Sequence, residues 1–297
     1  MALTSTPQRL VCFGLGYCAG VLAKRLTAEG WSIAGTCRDS EQAQRLIAEG
    51  IDAVVFDGDT PPVDPAEILS GATHLLISAP PDEDGDPVLR HFGEAIRARQ
   101  DLSWIGYLST TGVYGNTDGK MVDETSPIDP DVARSGRRAL AERDWLAAHQ
   151  EHGLALHIFR LAGIYGPGRN ALEQLRRGKA RRIDKPGHKF SRIHVADIAN
   201  VLIASIAQPN PGAIYNVCDN EAIEASRVTE FAADLLGVEP PPLLSFAEAA
   251  KTMLPMGLSF WHDNRLVDNT RIRSELGVVL DYPDYRAGLT ALFNELN

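Results

Sequence analysis

The sequence predicts an α/β protein, with a doubly wound parallel sheet followed by a smaller α+β lobe. Three features carry that prediction. Short apolar runs alternate with helix-length segments from residue 9 to about residue 165. A glycine-rich turn joins the first apolar run to the first helical segment. Beyond about residue 165 the alternation stops, and proline and glycine punctuate the chain instead.

The strand-length runs fall at 9–14, 31–37, 52–57, 74–80, 104–110 and 154–163, with helix-length segments at 17–29, 40–49, 66–70, 87–100 and 131–150. Runs this short, rich in Val, Ile, Leu and Phe, suit strands buried on both faces, and the segments between them serve as crossover helices. Past residue 165, "YGPGRN", "DKPGHKF" and "AQPNPGA" mark turns, and "GVEPPPLL" an exposed connection. Helices are expected at 195–207, 226–236 and 284–296, and one strand at 213–218. The expected division is a main domain over 1–165 and a smaller lobe over 166–297, with part of 193–220 returning to the main sheet.

A content of 44% hydrophobic and 23% charged residues is that of an ordinary globular protein. The formal net charge of −10 argues against nucleic acid and anionic membrane as partners, since both repel an acidic protein. No apolar stretch reaches the length of a bilayer span. The opening "MALTSTPQRL" lacks the basic region and apolar run of a secretory leader. Cys12, Cys18, Cys37 and Cys218 form no CxxC pair, and buried free thiols in a reducing cytoplasm are expected. With no cysteine cluster and eight scattered histidines, no metal site is expected.

The glycine turn reads "VCFGLGYCAGVLAKRL" and places Gly14-x-Gly16-x-x-Ala19 between the first strand and the first helix. Gly14 permits the tight turn, Gly16 lets the backbone approach a pyrophosphate, and Ala19 lets helix and strand pack closely. A strand before it, a helix after it and a β/α series beyond make this a Rossmann-type dinucleotide fingerprint. Gly14, Leu15, Gly16 and Tyr17 are therefore candidates for cofactor contact. The second strand ends "AGTCRDS", where Arg38 suits the extra phosphate of NADP. Asp39 beside it keeps NAD open as the less favoured alternative. Asp57 and Gly58 follow strand three, and Ala79 and Pro80 follow strand four. Ligands of such sheets lie at the carboxyl ends of the strands, so these four are placed to line adenine and ribose. Ala162 and Tyr165, after strand six, join them.

Five further motifs occur in order: "LSTTGVYG" (108–115), "RLAGIYGPG" (160–168), "RIHVADIA" (192–199), "IYNVCDN" (214–220) and "NTRIRSELG" (269–277). With the glycine turn they span nearly the whole chain, which resembles an extended short-chain dehydrogenase/reductase of the NAD(P)-dependent epimerase/dehydratase kind. That resemblance implies a Ser or Thr at the end of strand five and a Tyr-x-x-x-Lys on the following helix. Aligning "VYG" puts Thr110 at the hydroxyl position. Aligning "RRALAE" on the family's Lys-x-x-Ala-Glu puts Arg138 at the lysine and Arg134 at the tyrosine. Arginine stays protonated in the physiological range, so Arg134 cannot shuttle a proton. The chain thus resembles the atypical branch of the family, which keeps the dinucleotide site and erodes the catalytic set. Arg138 is expected to hold the cofactor ribose and Thr110 to orient the reacting oxygen.

Other groups are candidates for the missing acid. Tyr114 and Tyr165 each belong to a "YG" turn, where packing is the commoner role. Asp82 and Asp86 lie at the mouth of strand four, and Asp86 reads as the cap of the helix beginning at Pro87. His194 titrates in a useful range, but its family position is structural, and Asp197 reads as a helix-start or packing residue. Between residues 169 and 192 nine lysines and arginines face only Glu173 and Asp184. Arg169, Arg177 and Arg182 are the candidates there for an anionic substrate, a nucleotide-sugar by the resemblance; a solvated basic face is the alternative. The leading expectation is an NADP-dependent oxidoreductase or epimerase/dehydratase working by hydride transfer. Its alternative is an NADP-binding sensor that has lost catalysis. Dimerisation through surface helices, common in the family, is the protein contact the resemblance implies.

Overall fold

The computed structural model describes residues 8–60 and 64–296, so the first seven residues of the stretch read for a leader lie outside it. Every apolar run of the first two-thirds becomes a strand. β1 (Arg9–Phe13), β2 (Ser32–Cys37), β3 (Asp52–Val55), β4 (His74–Ile77), β5 (Trp104–Thr110), β6 (Leu156–Leu161) and β7 (Ile214–Val217) share one sheet, ordered β7-β6-β5-β4-β1-β2-β3. β1 pairs in parallel with β2 and β4, β2 with β3, and β4 with β5. The strand order therefore reverses beside β1. That reversal leaves a crevice at the carboxyl ends of β1 and β4, where Rossmann-type sheets bind ligands.

The principal helices are α1 (Tyr17–Ala28), α2 (Ser40–Ala48), α3 (Pro87–Arg97), α4 (Ala133–His152), α5 (Val195–Ala207), α6 (Ala225–Leu236) and α7 (Tyr285–Asn294). Local chemistry explains where several begin. Asp39 accepts from the Gln42 N–H at the start of α2, and Asp86 accepts from the N–H groups of Val88 and Leu89 ahead of Pro87 at the start of α3. None of the described helices is long and apolar enough to cross a membrane.

The chain divides into two compact units that interleave along the sequence: residues up to 109 with 137–159 and 202–214, and residues 110–136 with 160–201 and 215–297. The division is more interleaved than the expected lobes over 1–165 and 166–297 with part of 193–220 returning, because α4 and β6, as well as α5 and β7, each pass from one unit into the other. The first unit is built on a core of Phe13, Phe92, Ile105, Tyr107, Trp145 and Ile158, with the Trp104 indole donating to Ser205. The second has two smaller cores, one around Tyr165, Leu172, Ala232 and Leu289, the other around Ile183, Ala249 and Trp261. It also holds three short parallel pairs: Gly163–Tyr165 with Arg192–His194, Arg182–Asp184 with Leu243–Ser245, and Met121–Val122 with Leu266–Val267.

Asp197 joins distant parts of the second unit. Fully buried, it accepts from the backbone N–H groups of Asp281 and Tyr282 and from the Asn200 side chain. Asp197→Ala should remove the acceptor of the Asp281 and Tyr282 N–H groups and cost about 2 kcal/mol of stability. Urea unfolding checks this; a midpoint equal to wild type would reduce Asp197 to a passive filler.

Candidate functional site

In the first unit the glycine turn opens one wall of a cleft of about 610 Å³. The turn is held by the Thr36 side chain, which accepts from the Gly14 N–H, and by the Thr36 carbonyl, which accepts from the Leu15 N–H. Gly14 has φ +92°, and a Cβ there would stand 2.9 Å from the Ala79 backbone nitrogen. Gly35 is equally obligatory, since its Cβ would meet the Leu15 side chain at 2.6 Å. Gly16 differs: a Cβ there meets nothing within 4 Å, and α1 starts at Gly16 with no side chain capping its N–H groups. An open space beside uncapped helix N–H groups is what a pyrophosphate requires, so these residues fit a dinucleotide.

Eight of the predicted cofactor residues line this cleft: Gly14, Leu15, Gly16, Arg38, Asp57, Gly58, Ala79 and Pro80. Tyr17 is not among its lining residues. Arg38 is exposed and forms no hydrogen bond or ion pair with any described residue. The carboxylate of Asp39 is occupied as the cap of α2. Asp57 accepts from the N–H groups of Asp59 and Thr60, which hold its carboxyl below the usual range. Gln42, which the sequence reading did not single out, lines the cleft and donates to the Leu15 carbonyl. Nothing in its sequence context marks it.

The three arginines at the start of α4 have separate surroundings. Arg138 reaches back to the sheet, donating to the carbonyls of Leu108 (2.7 Å) and Ala79 (3.5 Å) and to the Tyr107 hydroxyl (3.1 Å). Arg137 lines the dinucleotide cleft. Arg134 lies in the second unit with its guanidinium 4.7 Å from the centre of the Phe260 ring.

A second cavity, of about 410 Å³, belongs to the second unit. Thr110 and Arg134 line it, as do Ala162 and Tyr165, which the sequence reading assigned to the cofactor. Thr110 accepts from the Gly112 N–H, leaving its hydroxyl proton available to a ligand. Ser135 is buried in the same wall; a Cβ on Gly112 would lie 2.5 Å from the Ser135 hydroxyl and 3.2 Å from that of Thr110. Four cations border the cavity: Arg134, Lys189, Arg192 and Arg265. The one acid in its lining, Asp263, is paired with Arg265 at 2.9 Å. The Ser191 hydroxyl, also in the lining, is buried without a hydrogen-bond partner. Phe190, Phe260 and Trp261 supply aromatic surface.

Several predicted residues lie elsewhere. Arg169, Arg177 and Arg182 do not line this cavity. Arg177 pairs with Glu173 one helical turn away, Arg182 pairs with Glu230, and Arg169 sits exposed in a tight turn with Gly166. The cavity instead takes Lys189 and Arg192 from the end of the same basic run, and Arg265 from a segment that carried no signal. Tyr114 is buried, its hydroxyl donating to Asn216 and accepting from Arg160, and burial raises its pKa. The Tyr165 hydroxyl donates to the Asp284 carbonyl, and burial raises its pKa too. Asp82 is held by Arg90, and the His194 ring packs 3.9 Å from that of Tyr282. Among the described residues, Asp131, His262 and Asp263 have metal-ligand spacing, but the Arg265 guanidinium on Asp263 opposes a cation there.

The comparisons with known proteins agree with this architecture. Residues 93–218 match the model of the NAD dependent epimerase/dehydratase family. Protein YeeZ of Escherichia coli K12 is 30% identical over 288 residues, covering 93% of this chain and 97% of its own. A solved structure of a functionally unknown conserved protein from Silicibacter pomeroyi is 49% identical, with a TM-score of 0.88 over 97% of this chain and 99% of its own. A dTDP-glucose 4,6-dehydratase from Bacillus anthracis, solved with NAD, shares the fold at 16% identity and a TM-score of 0.76, over 97% of this chain and 96% of its own. With its glycine turn, strand order and ordered motifs, the chain belongs to the NAD-dependent epimerase/dehydratase family.

Proposed function

We propose that the chain is an NADP-dependent oxidoreductase or epimerase/dehydratase acting on a small anionic substrate, of which a nucleotide-sugar is the leading class. The observation that carries the cofactor choice is the state of Arg38 and Asp39. A carboxylate at the end of β2 would take the ribose hydroxyl of NAD, but Asp39 turns Oδ1 to the Gln42 N–H at the start of α2 and is not among the residues lining the cleft. The neighbouring guanidinium of Arg38 is unengaged and lines the cleft. NAD is the competing cofactor, supported by the NAD bound to the dehydratase of the same fold. When bound, the nicotinamide supplies or takes up a hydride.

The chain's own residues would do the rest. The start of α1, which no side chain caps, would face the pyrophosphate, and Gly14, Leu15 and Gly16, whose own N–H groups bond to Thr36 and Gly14, hold the turn open beside it. Arg138, tied to the Leu108 carbonyl, sets the position of α4. Thr110 and Ser135 donate hydroxyl hydrogen bonds in the cavity that Lys189, Arg192 and Arg134 make cationic. That charge, rather than Arg169, Arg177 or Arg182, supports an anionic substrate. dTDP-glucose is the first compound to screen, following the name of the dehydratase of the same fold.

Calorimetric titration of the cofactor-free chain with NADPH and NADH tests the reading. Arg38→Ala should weaken NADPH about thirtyfold and leave NADH nearly unchanged, as removal of a charge-assisted phosphate contact requires. Equal NADPH affinity in wild type and variant would remove the NADP assignment. A second reading, a cofactor-binding sensor without catalysis, is favoured by one observation: two arginines, Arg134 and Arg138, stand where the resemblance puts the proton-transferring tyrosine and its lysine. A change in NADPH absorbance with any screened nucleotide-sugar would exclude it.

A further inference from the structure

We propose that Arg137 is the cation that neutralises the cofactor's pyrophosphate. The inference rests on the dinucleotide reading of the cleft and concerns a residue to which neither the glycine fingerprint nor the aligned positions 134 and 138 give a role.

The cleft holds few charges that suit a polyanion. Its glycine wall carries no cationic side chain, so the phosphates would meet only backbone N–H groups and the fractional charge at the start of α1. Asp57, Asp59 and Asp82 also line the cleft and work against an anion, although Asp82 is held by Arg90. Against these acids, the lining has two cations, Arg38 and Arg137. Arg38 follows β2, where an adenosine 2′-phosphate belongs. The remaining positive charge is Arg137, grouped in the lining with Ala79, Pro80, Pro81 and Asp82 from the end of β4.

Its position is fixed by its neighbour. Arg138 donates to Leu108, Tyr107 and Ala79, all on β5 or just past β4, and so pins this turn of α4 to the carboxyl ends of the strands. One residue earlier, the Arg137 side chain is then carried to the mouth of the cleft. Among the described residues its ion-pair partner is Glu83 at 3.8 Å, with the Arg137 side chain 37% and that of Glu83 88% exposed. An exposed pair at that distance is weak and readily exchanged for a phosphate, to which a guanidinium forms a bidentate bond. Arg137 acts on binding; no proton transfer is assigned to it.

The two arginines can be separated with fragments of the cofactor. The probes are ADP-ribose, which has the pyrophosphate and no 2′-phosphate, and adenosine 2′-monophosphate, which has neither phosphate of the pyrophosphate, together with NADPH and NADH. Each is titrated by calorimetry into the full chain as wild type, Arg137→Gln and Arg137→Lys. Arg137→Gln should weaken ADP-ribose, NADH and NADPH roughly tenfold each, as loss of a charge-assisted bond predicts, and leave adenosine 2′-monophosphate within about twofold. Arg137→Lys, which keeps the charge and loses the fork, should fall between. Thermal unfolding without ligand should shift little for both variants, because the half-buried side chain makes only a long ion pair with the exposed Glu83. Equal ADP-ribose affinity in wild type and Arg137→Gln overturns the proposal while leaving the cofactor site standing. A wild type that binds none of the four probes overturns both.

Discussion

Lowering the pH from 6.5 to 4 should remove about 3 kcal/mol or more of the chain's stability, and histidines should be the cause. His74, His157 and His188 are each at least 95% buried, and burial pushes each from 6.5 down to about 4. The sign follows from proton counts. Between pH 4 and 6.5 the unfolded chain protonates these rings and the folded chain does not, so acid favours unfolding. Each ring contributes about 3 kcal/mol across that window. The contacts are consistent with neutral imidazoles. His157 Nε2 accepts the Asn210 N–H and its ring stacks on Trp104, while His188 stacks on Trp261 near Lys185 and Arg265, whose charges disfavour a third cation.

Buried carboxyls work the other way. Asp219 is raised to about 7 by burial, so it is protonated in the folded state where the unfolded chain is ionised, and it favours folding as pH falls from 7 toward 4. Asp86, Asp197 and Glu124 are shifted in the same direction. Asp219 offsets about one histidine, and Asp86, Asp197 and Glu124 offset part of what the other two contribute. Urea midpoints at pH 7, 6, 5 and 4 measure the sum. His157→Gln keeps an acceptor for Asn210 and cannot charge, so its pH slope should be smaller by close to one proton. Identical slopes in variant and wild type would show that His157 is not part of the acid response.

How much of this was legible depended on the length scale of each signal. The sheet was readable because its strands are written as short runs dominated by apolar residues, as in "LVCF" and "LLI", and the capping Asp86 was readable because Pro87 follows it. The short pairs of the second unit were not. A strand of three residues such as Arg182–Asp184 has no period to detect. The division into units was hidden for a related reason: strands such as β6 pass between units without a break in sequence pattern. The cleft residues were legible because the glycine rule ties sequence position to the ends of β1, β3 and β4. The cavity was not, since Ser191, Phe260 and Arg265 come from turns and short helices that meet only in three dimensions. Charge density alone misled: Arg177 and Arg182 look like substrate ligands until Glu173 and Glu230 are found beside them.

The glycines of the first turn provide the sharpest test of the cleft, because two residues apart they should fail in different ways. Gly14→Ala should damage the fold itself. At φ +92° an alanine is strained, and its Cβ, 2.9 Å from the Ala79 nitrogen, must push β4 away from the turn. A loss of about 2 kcal/mol or more is expected, together with loss of dinucleotide binding. Gly16→Ala should do only the second. Its φ of −94° suits any residue and its Cβ meets no protein atom within 4 Å, so stability should stay within about 0.5 kcal/mol of wild type. That methyl group would nonetheless project into the space beside the N–H groups of α1. A pyrophosphate held there would be displaced by more than an ångström, and NADPH affinity should fall on the order of a hundredfold as several hydrogen bonds lengthen together. Urea midpoints and calorimetric affinities on both variants separate the two failures. A Gly16→Ala chain that binds NADPH as wild type does would mean that the pyrophosphate does not approach α1, and the cleft would need another ligand.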